Sequence, residues 1–350
     1  MKINKKILFN KLIKILILSV IVSSVCLFAG HFLFSSIIYY DNFDEKEESK
    51  AKNEKRTEKA LPVKYIHLTE EINGYRQEIN MIEVDLSQDN VEVLPVLSHD
   101  KLFGFEKLSD MALRSNAYAA VNAGFFHEYG EPSGMVAIDG ELITMPTGKY
   151  PVLIISDNKA YLKEMNMKLW METPYVRFDV DRINDVGRAG ETVVYTSAFG
   201  YTSRVNEPNI TAVIENEVVT VINKYEEEVE IPDNGILLTL LQPFEYGIDE
   251  IPLGPGDRAI LRYEPELGDE SQAYECGSWI VKDGKVVIED RDEWVGVLTN
   301  RDPRTAVGLK DEQTIVLFTV DGRQPGYSEG LTGKELGEVL VKYGIKDAAM

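Results

Sequence analysis

Three short stretches place residues capable of chemistry at the end of an apolar run. In Asn122-Ala123-Gly124-Phe125-Phe126, an apolar lead-in delivers an amide, a glycine and two aromatics. The Asn122 side chain can both donate and accept hydrogen bonds, and Gly124 lets backbone approach a ligand closely. Arg301-Asp302-Pro303-Arg304 precedes the small apolar run Thr305-Ala306-Val307-Gly308, so Arg304 stands at a strand mouth. A guanidinium there can grip a phosphate or carboxylate through two parallel hydrogen bonds. In Asp321-Gly322-Arg323, a carboxylate ends the run Thr314 to Val320 and a second guanidinium follows two residues later. Loops fixed on a rigid strand are where chemistry is commonly carried. Spacing alone leaves bland readings open for each stretch. The first suits a strand-end turn with core aromatics, the second a structural ion pair with one of many acids, and the third a plain Asp-Gly turn.

These residues need elements to hold them. Residues 79–86 and 91–97 alternate apolar and polar side chains, which predicts two strands joined by a turn at 87–90. A short helix is expected over 109–114, and the small apolar run 117–121 reads as a buried strand leading into Asn122. Hairpins are expected over 135–144, 152–162 and 279–288, turning on Asp139-Gly140, Asp157-Asn158 and Asp283-Gly284. Each pair suits the positive backbone angles of tight hairpin turns. The first and third hairpins resemble each other, which allows a weak internal duplication. Met165 to Met171 reads as core packing. The run 314–320 predicts a strand, Thr332 and Glu335 have the spacing of a capping box, and Gly344 is the expected helix stop. A further strand opens at 345. The fold class is therefore α+β, with β-rich mixed sheets and a few helices, preceded by one N-terminal transmembrane helix.

That last element rests on charge and length. The first fourteen residues hold five of the 37 Lys and Arg and no acid, so the rest sets 32 cations against all 58 acids. So acidic a surface repels nucleic-acid phosphates, and no nucleic-acid partner is expected. Residues 15–40 carry no formal charge apart from the titratable His31. That is long enough for a helix across a bilayer, which needs about 20 residues, and no small-x-small cleavage pattern follows it, so an uncleaved anchor is expected; a long cleaved signal is the other reading, and either way the domain is exported. The lysines keep the N-terminus cytoplasmic and send the rest outward. Four segments follow: a basic stretch over 1–14, a signal anchor over 15–40, a charged linker over 41–62 and one domain over 63–350. The domain is expected outside the cell membrane, tethered through the N-terminal helix.

The two cysteines, Cys26 and Cys276, fall in the apolar span and the domain, so no disulfide framework is expected. His67 and His99 lack metal-spaced partners, while His127 follows the Phe pair and could reach the same site. No zinc spacing, Gly-x-Ser-x-Gly elbow or phosphate-cradling P-loop occurs, so no metal site is expected and no cofactor is indicated.

Taken in order, the motifs resemble the phosphodiester glycosidase family. They are Ala120-Val121-Asn122-Ala123-Gly124-Phe125-Phe126, the Asp139-Gly140 hairpin, the stretch from Val194 to Gly200, the hairpin from Gly277 to Val287, Pro303-Arg304-Thr305-Ala306-Val307-Gly308, and Val320-Asp321-Gly322-Arg323 with its helix. The likeness runs from about Gln77 to Met350. It implies hydrolysis of a sugar C1–O–phosphate linkage in a phosphosugar or envelope polysaccharide. Asp321 and Arg323 would be catalytic, and Asn122, Gly124, Phe126, Arg304 and Gly322 would bind substrate. The family pattern continues past Asp347-Ala348-Ala349 into an Asn-Leu-Asp-Gly-Gly-Gly-Ser motif, and this sequence stops at Met350. The expectation is therefore a domain read short of its C-terminal motif. A non-catalytic, membrane-tethered module that binds phosphosugar polymers is the other reading the sequence allows.

Overall fold

The computed structural model describes residues 61–243 and 251–350. The basic stretch, the apolar span and nearly all of the linker lie outside the described residues. Among the described residues no helix is long and apolar enough to cross a membrane.

The site is organised by a seven-stranded antiparallel sheet. Its order is Val63–Ile72, Tyr75–Asp85, Thr314–Val320, Arg304–Asp311, Asp347–Ala349, Trp279–Lys282 and Lys285–Val286. Its central strands are buried on both faces, which is why Thr314–Val320 reads as a continuous apolar run. Ala306, Phe318 and Val320 pack on one face beneath the helix Gly333–Lys342, together with Leu336, Val339 and Leu340. Gly337 lets that helix settle onto the sheet, since a Cβ there would stand 2.6 Å from a Val286 methyl. Thr332 and Glu335 form the expected capping box, and Gly344 turns the chain out at φ 80°. Val307, Leu309, Ile315 and Leu317 face the other way, onto Leu153, Ala160 and Cys276.

That second face is covered by a five-stranded sheet ordered Glu141–Thr144, Val136–Ile138, Gln272–Glu275, Pro151–Ser156 and Lys159–Glu164. The chain passes from this sheet to the first through Cys276, Gly277 and Ser278. A further five-stranded sheet, Val218–Tyr225, Asn209–Glu215, Gly235–Leu241, Thr192–Tyr195 and Arg182–Ile183, contains one parallel pair, so the sheets are mixed. A three-stranded sheet, Ile260–Glu264, Lys168–Glu172 and Arg177–Val180, and a two-stranded hairpin, Arg291–Asp292 with Gly296–Val297, complete the described β-structure, with Met165, Met167 and Met171 buried in the core adjoining the former.

All three expected hairpins form. Asp139, Asp157 and Asp283 take φ near 50°, with Gly140, Asn158 and Gly284 after them also positive. The two that resemble each other lie in different sheets. The short helix is Leu108–Arg114. Two expectations are corrected. Residues 91–97 are extended but enter no ladder, because Pro95 lacks a ladder donor and only Val91, Val93 and Leu97 reach a core edge. Residues 117–121 form no strand and are largely exposed, Tyr118 at 81%. Three of the five are alanines, which gain little from burial and so do not draw the run onto a sheet edge.

Candidate functional site

Arg304 opens its strand opposite Val320, and alternation turns it to the helix-covered face. The side chain is 4% exposed. Its Nε donates to the Leu331 carbonyl at 3.2 Å and Nη2 to the Asn300 carbonyl at 3.1 Å. An Asp302 carboxylate oxygen lies 3.5 Å from Nη2. Nη1 has no hydrogen bond within the described residues and is not sealed from solvent. Burial holds the guanidinium below its ordinary pKa; Asp302 acts against that, Arg323 adds to it, and Asp292 opposes it. An arginine remains charged through such shifts. The result is a cation fixed by two carbonyls with one edge left open.

Arg323 stands beside it. Its backbone is left-handed at φ 58°, its side chain is exposed, and its Nε donates to Asp302 Oδ1 at 2.7 Å. Asp302 therefore ties the two guanidiniums together. Its own backbone is clamped to Leu331 in both directions. Gly322 and Gly330 make that clamp possible. A Cβ at Gly322 would sit 2.4 Å from the Pro303 nitrogen, and one at Gly330 2.4 Å from the Asp302 carbonyl oxygen. Gly322 thus lies against protein backbone.

Asp321 leaves the neighbouring strand with its N–H donating to the Glu78 carbonyl. Its Oδ2 accepts from the Tyr327 hydroxyl at 3.3 Å. Burial raises the Tyr327 pKa, and the Asp321 charge adds to that rise. The loop is anchored by fully buried Ser328, whose Oγ donates to the Asp321 carbonyl and accepts from the Glu78 N–H. Among the described residues, no hydrogen bond or ion pair joins the Asp321 carboxylate to either arginine.

Asn122 is exposed and accepts from Thr305 Oγ1 at 2.9 Å. Thr305 faces away from Arg304, so Asn122 and the guanidinium address the strand mouth from opposite faces of the sheet. Gly124 packs against the Tyr274–Glu275 backbone, where a Cβ would stand 2.6 Å from the Glu275 carbonyl oxygen. Phe126 is 58% exposed and meets Phe105 edge-on at 5.8 Å.

The structure thus joins Arg304 to Arg323 through Asp302 and brings Asn122 to the residue next to Arg304. It leaves Asp321 on the same loop but turned to Tyr327. Four participants were not singled out in the sequence: Asp302, Thr305, Asp292 and Trp294. Asp302 was legible in principle, since residues two apart on an extended chain share a side, but Asp-Pro reads first as a turn.

Asp292 and Trp294 lie on a small hairpin, Arg291–Asp292 paired with Gly296–Val297. Buried Asp292 accepts from the backbone N–H groups of Trp294 and Val295 at 2.7 and 2.8 Å, and from the Ser278 hydroxyl. Trp294 stacks on Phe125, with centroids 5.5 Å apart and planes 7° apart, and His127 meets its edge at 5.4 Å. His127 therefore contacts Trp294, and among the described residues no hydrogen bond, ion pair or ring contact joins it to Arg304, Arg323 or Asp321.

The phosphodiester glycosidase family model matches residues 208–350. That part contains Arg304, Asp321, Gly322 and Arg323; Asn122, Gly124 and Phe126 precede it. An uncharacterized protein of Rickettsia conorii is 23% identical over 228 residues, covering 60% of this chain and 77% of its own length. A solved hypothetical protein from Synechocystis shares the fold at TM-score 0.67 and 18% identity, over 82% of this chain. The match spans 56% of that protein's length. A solved protein of Burkholderia pseudomallei aligns at TM-score 0.61 and 20% identity, over 79% of this chain and 68% of its own. Over residues 208–350 the chain thus matches the phosphodiester glycosidase family, the same family that its sequence motifs resemble.

Proposed function

We propose that the chain hydrolyses a sugar-1-phosphodiester linkage in a cell-envelope glycan, acting outside the cell membrane on an N-terminal helical anchor. The family match supports a phosphodiester glycosidase-type activity in general. The observation that carries the finer reading is the Arg304–Asp302–Arg323 cluster at a strand mouth, with the outer edge of Arg304 open. In the proposed reaction the two guanidiniums hold the phosphodiester. Asp321 takes a proton from water as the water oxygen bonds to the anomeric carbon. The C1–O bond to phosphorus breaks with its electron pair left on phosphate, which departs as a monoester, and the proton passes from Asp321 to solvent. Ordinary glycosidases need a second carboxyl group to protonate a poor leaving group. A phosphate held by two cations leaves without one, so Asp321 suffices as the base and no second carboxyl group need act as acid. Asn122, bonded to Thr305 on the opposite face, would orient a sugar hydroxyl.

The test is release of reducing sugar from a glycosyl-1-phosphodiester by the full chain, extended with its native downstream sequence if the gene continues. Arg304→Ala should cut kcat about 10²–10³-fold, the usual cost of removing one charge-stabilising donor. Asp321→Asn should abolish turnover while leaving phosphate binding in place. Turnover near wild type in Asp321→Asn removes that carboxylate from the mechanism. Wild-type binding of phosphosugars with no turnover favours the non-catalytic module instead.

A further inference from the structure

The Trp294 hairpin is not absorbed by the phosphate chemistry, yet it is built into the same place. It reaches Arg304 along the chain, since Asn300, just beyond the hairpin, supplies a carbonyl to the guanidinium. It also reaches Arg304 through space, since the Asp292 charge acts on it. From the other side it is met by Phe125 and His127, which belong to the same loop as Asn122. Gly277 makes room for that contact, because a Cβ there would stand 2.4 Å from the Phe125 ring.

The hairpin tip is held in one conformation. Three donors converge on the buried Asp292 carboxylate, and Gly296 at φ 83° closes the turn. Yet Trp294 at its tip is 38% exposed, and its indole N–H has no hydrogen bond within the described residues. An indole serving only the core would bury both ring and N–H. Here one face rests on Phe125 and an edge rests on His127, and the remainder is presented to solvent with an unused donor.

We propose that Trp294, backed by Phe125, is a sugar-stacking platform and the residue that selects the glycosyl group. The C–H bonds on one face of a pyranose carry partial positive charge and pack against the negative face of an aromatic ring. The indole N–H can donate to a ring hydroxyl at the rim. A pyranose 1-phosphate has an apolar sugar face one bond from an anionic group. The pairing of a rigid ring with a fixed guanidinium matches that shape. The proposal rests on the reading above for what sits at the arginines, and it adds which part of the ligand Trp294 meets.

The test measures binding to the full chain by calorimetry, using inorganic phosphate, a panel of hexose 1-phosphates (glucose, galactose, mannose, N-acetylglucosamine) and methyl α-glucoside. At least one hexose 1-phosphate should bind more tightly than inorganic phosphate. Trp294→Ala should erase that advantage, a loss of about tenfold, and leave inorganic phosphate within about twofold of wild type. Trp294→Phe should retain most of the advantage. If Trp294→Ala keeps the full advantage, or if no hexose 1-phosphate exceeds inorganic phosphate, the platform is overturned. Equal losses for phosphate and sugar phosphates in both variants would make Trp294 a structural prop and overturn it as well. If instead Arg304→Ala leaves inorganic phosphate binding unchanged, the phosphate reading fails. Binding of methyl α-glucoside that depends on Trp294 would then support the platform on its own, and its absence would overturn both.

Discussion

Asp302 sits between the two guanidiniums, and replacing it with Asn separates its two jobs, tether and counter-charge. The change keeps the side-chain shape and the backbone clamp to Leu331, and removes one negative charge. At the 3.5 Å separation from Arg304, the gross attraction is about 5 kcal/mol for an effective dielectric constant near 20. Much of that is offset by the cost of desolvating the pair, and Arg304 keeps its two carbonyl partners. A net loss of about 1–2 kcal/mol in folding stability is expected. Exposed Arg323 contributes little to stability, so its freed side chain adds less than about 1 kcal/mol. The effect on anions has the opposite sign. A phosphate bridging the two arginines would lie roughly 5–6 Å from the carboxylate, where repulsion is about 1.5 kcal/mol at a dielectric constant between the surface and bulk-water limits. Asp302→Asn should therefore bind inorganic phosphate roughly tenfold more tightly at low salt, with a smaller gain at high salt. Calorimetric titration at two ionic strengths, beside urea unfolding, measures both terms. Phosphate affinity that is unchanged or weaker refutes the reasoning, since an anion held by these arginines cannot ignore a charge placed between them.

Other perturbations test the supports. Gly322→Ala forces a Cβ against the Pro303 nitrogen, so it should cost about 2–3 kcal/mol and displace Arg304, whereas Gly326→Ala, with nothing within 4 Å but φ 81°, should cost about 1 kcal/mol and leave phosphate binding intact. Urea midpoints and phosphate titration of both variants check this. Thr332→Ala removes the helix cap and should cost about 1 kcal/mol by the same measurement. Burial pushes the Glu335 carboxyl up, but hydrogen bonds from Asn73, Thr332 and Arg301 outweigh it and hold the pKa below its ordinary 4.5. A lowered folded pKa gives stability that is complete above the unfolded value and is lost as pH falls through the folded one. Glu335→Gln should therefore be clearly less stable than wild type at pH 7, with the gap closing as pH drops below 4.5. A gap that stays constant to pH 2.5 would contradict this.

What was legible in the sequence was what local chemistry decides. Asp139-Gly140, Asp157-Asn158 and Asp283-Gly284 specify their turns because few residue pairs accept two positive φ values in succession. Thr332 and Glu335 announce the helix start because each satisfies the other's neighbourhood. Residues 91–97 and 117–121 failed because a strand also needs a partner edge, which no local pattern reports. The site was half legible for the same reason. Arg304, Asp321 and Arg323 stand out as charges at strand ends. Asp302 becomes meaningful only once Leu331 has clamped the loop so that its carboxylate faces two arginines. Trp294 becomes meaningful only once Phe125, some 170 residues away in sequence, has stacked beneath it.

The position of Asp302 also bears on turnover. In the proposed reaction the bound diester carries one negative charge, while the monoester product carries nearly two near pH 7. Two uncompensated arginines would hold the product more tightly than the substrate and slow its release. A carboxylate tied to Arg323 and close to Arg304, with Asp292 acting on Arg304 from a distance, trims the cationic field without removing the donors. Electrostatic preorganisation helps when it is matched to the transition state rather than to the product. The surrounding excess of acid works in the same direction, because it repels the dianion more strongly than the monoanion. The same charge that weakens phosphate binding is thus the one expected to keep the site clear, and Asp302→Asn should show stronger inhibition by the phosphate monoester product even where its first-turnover rate is preserved.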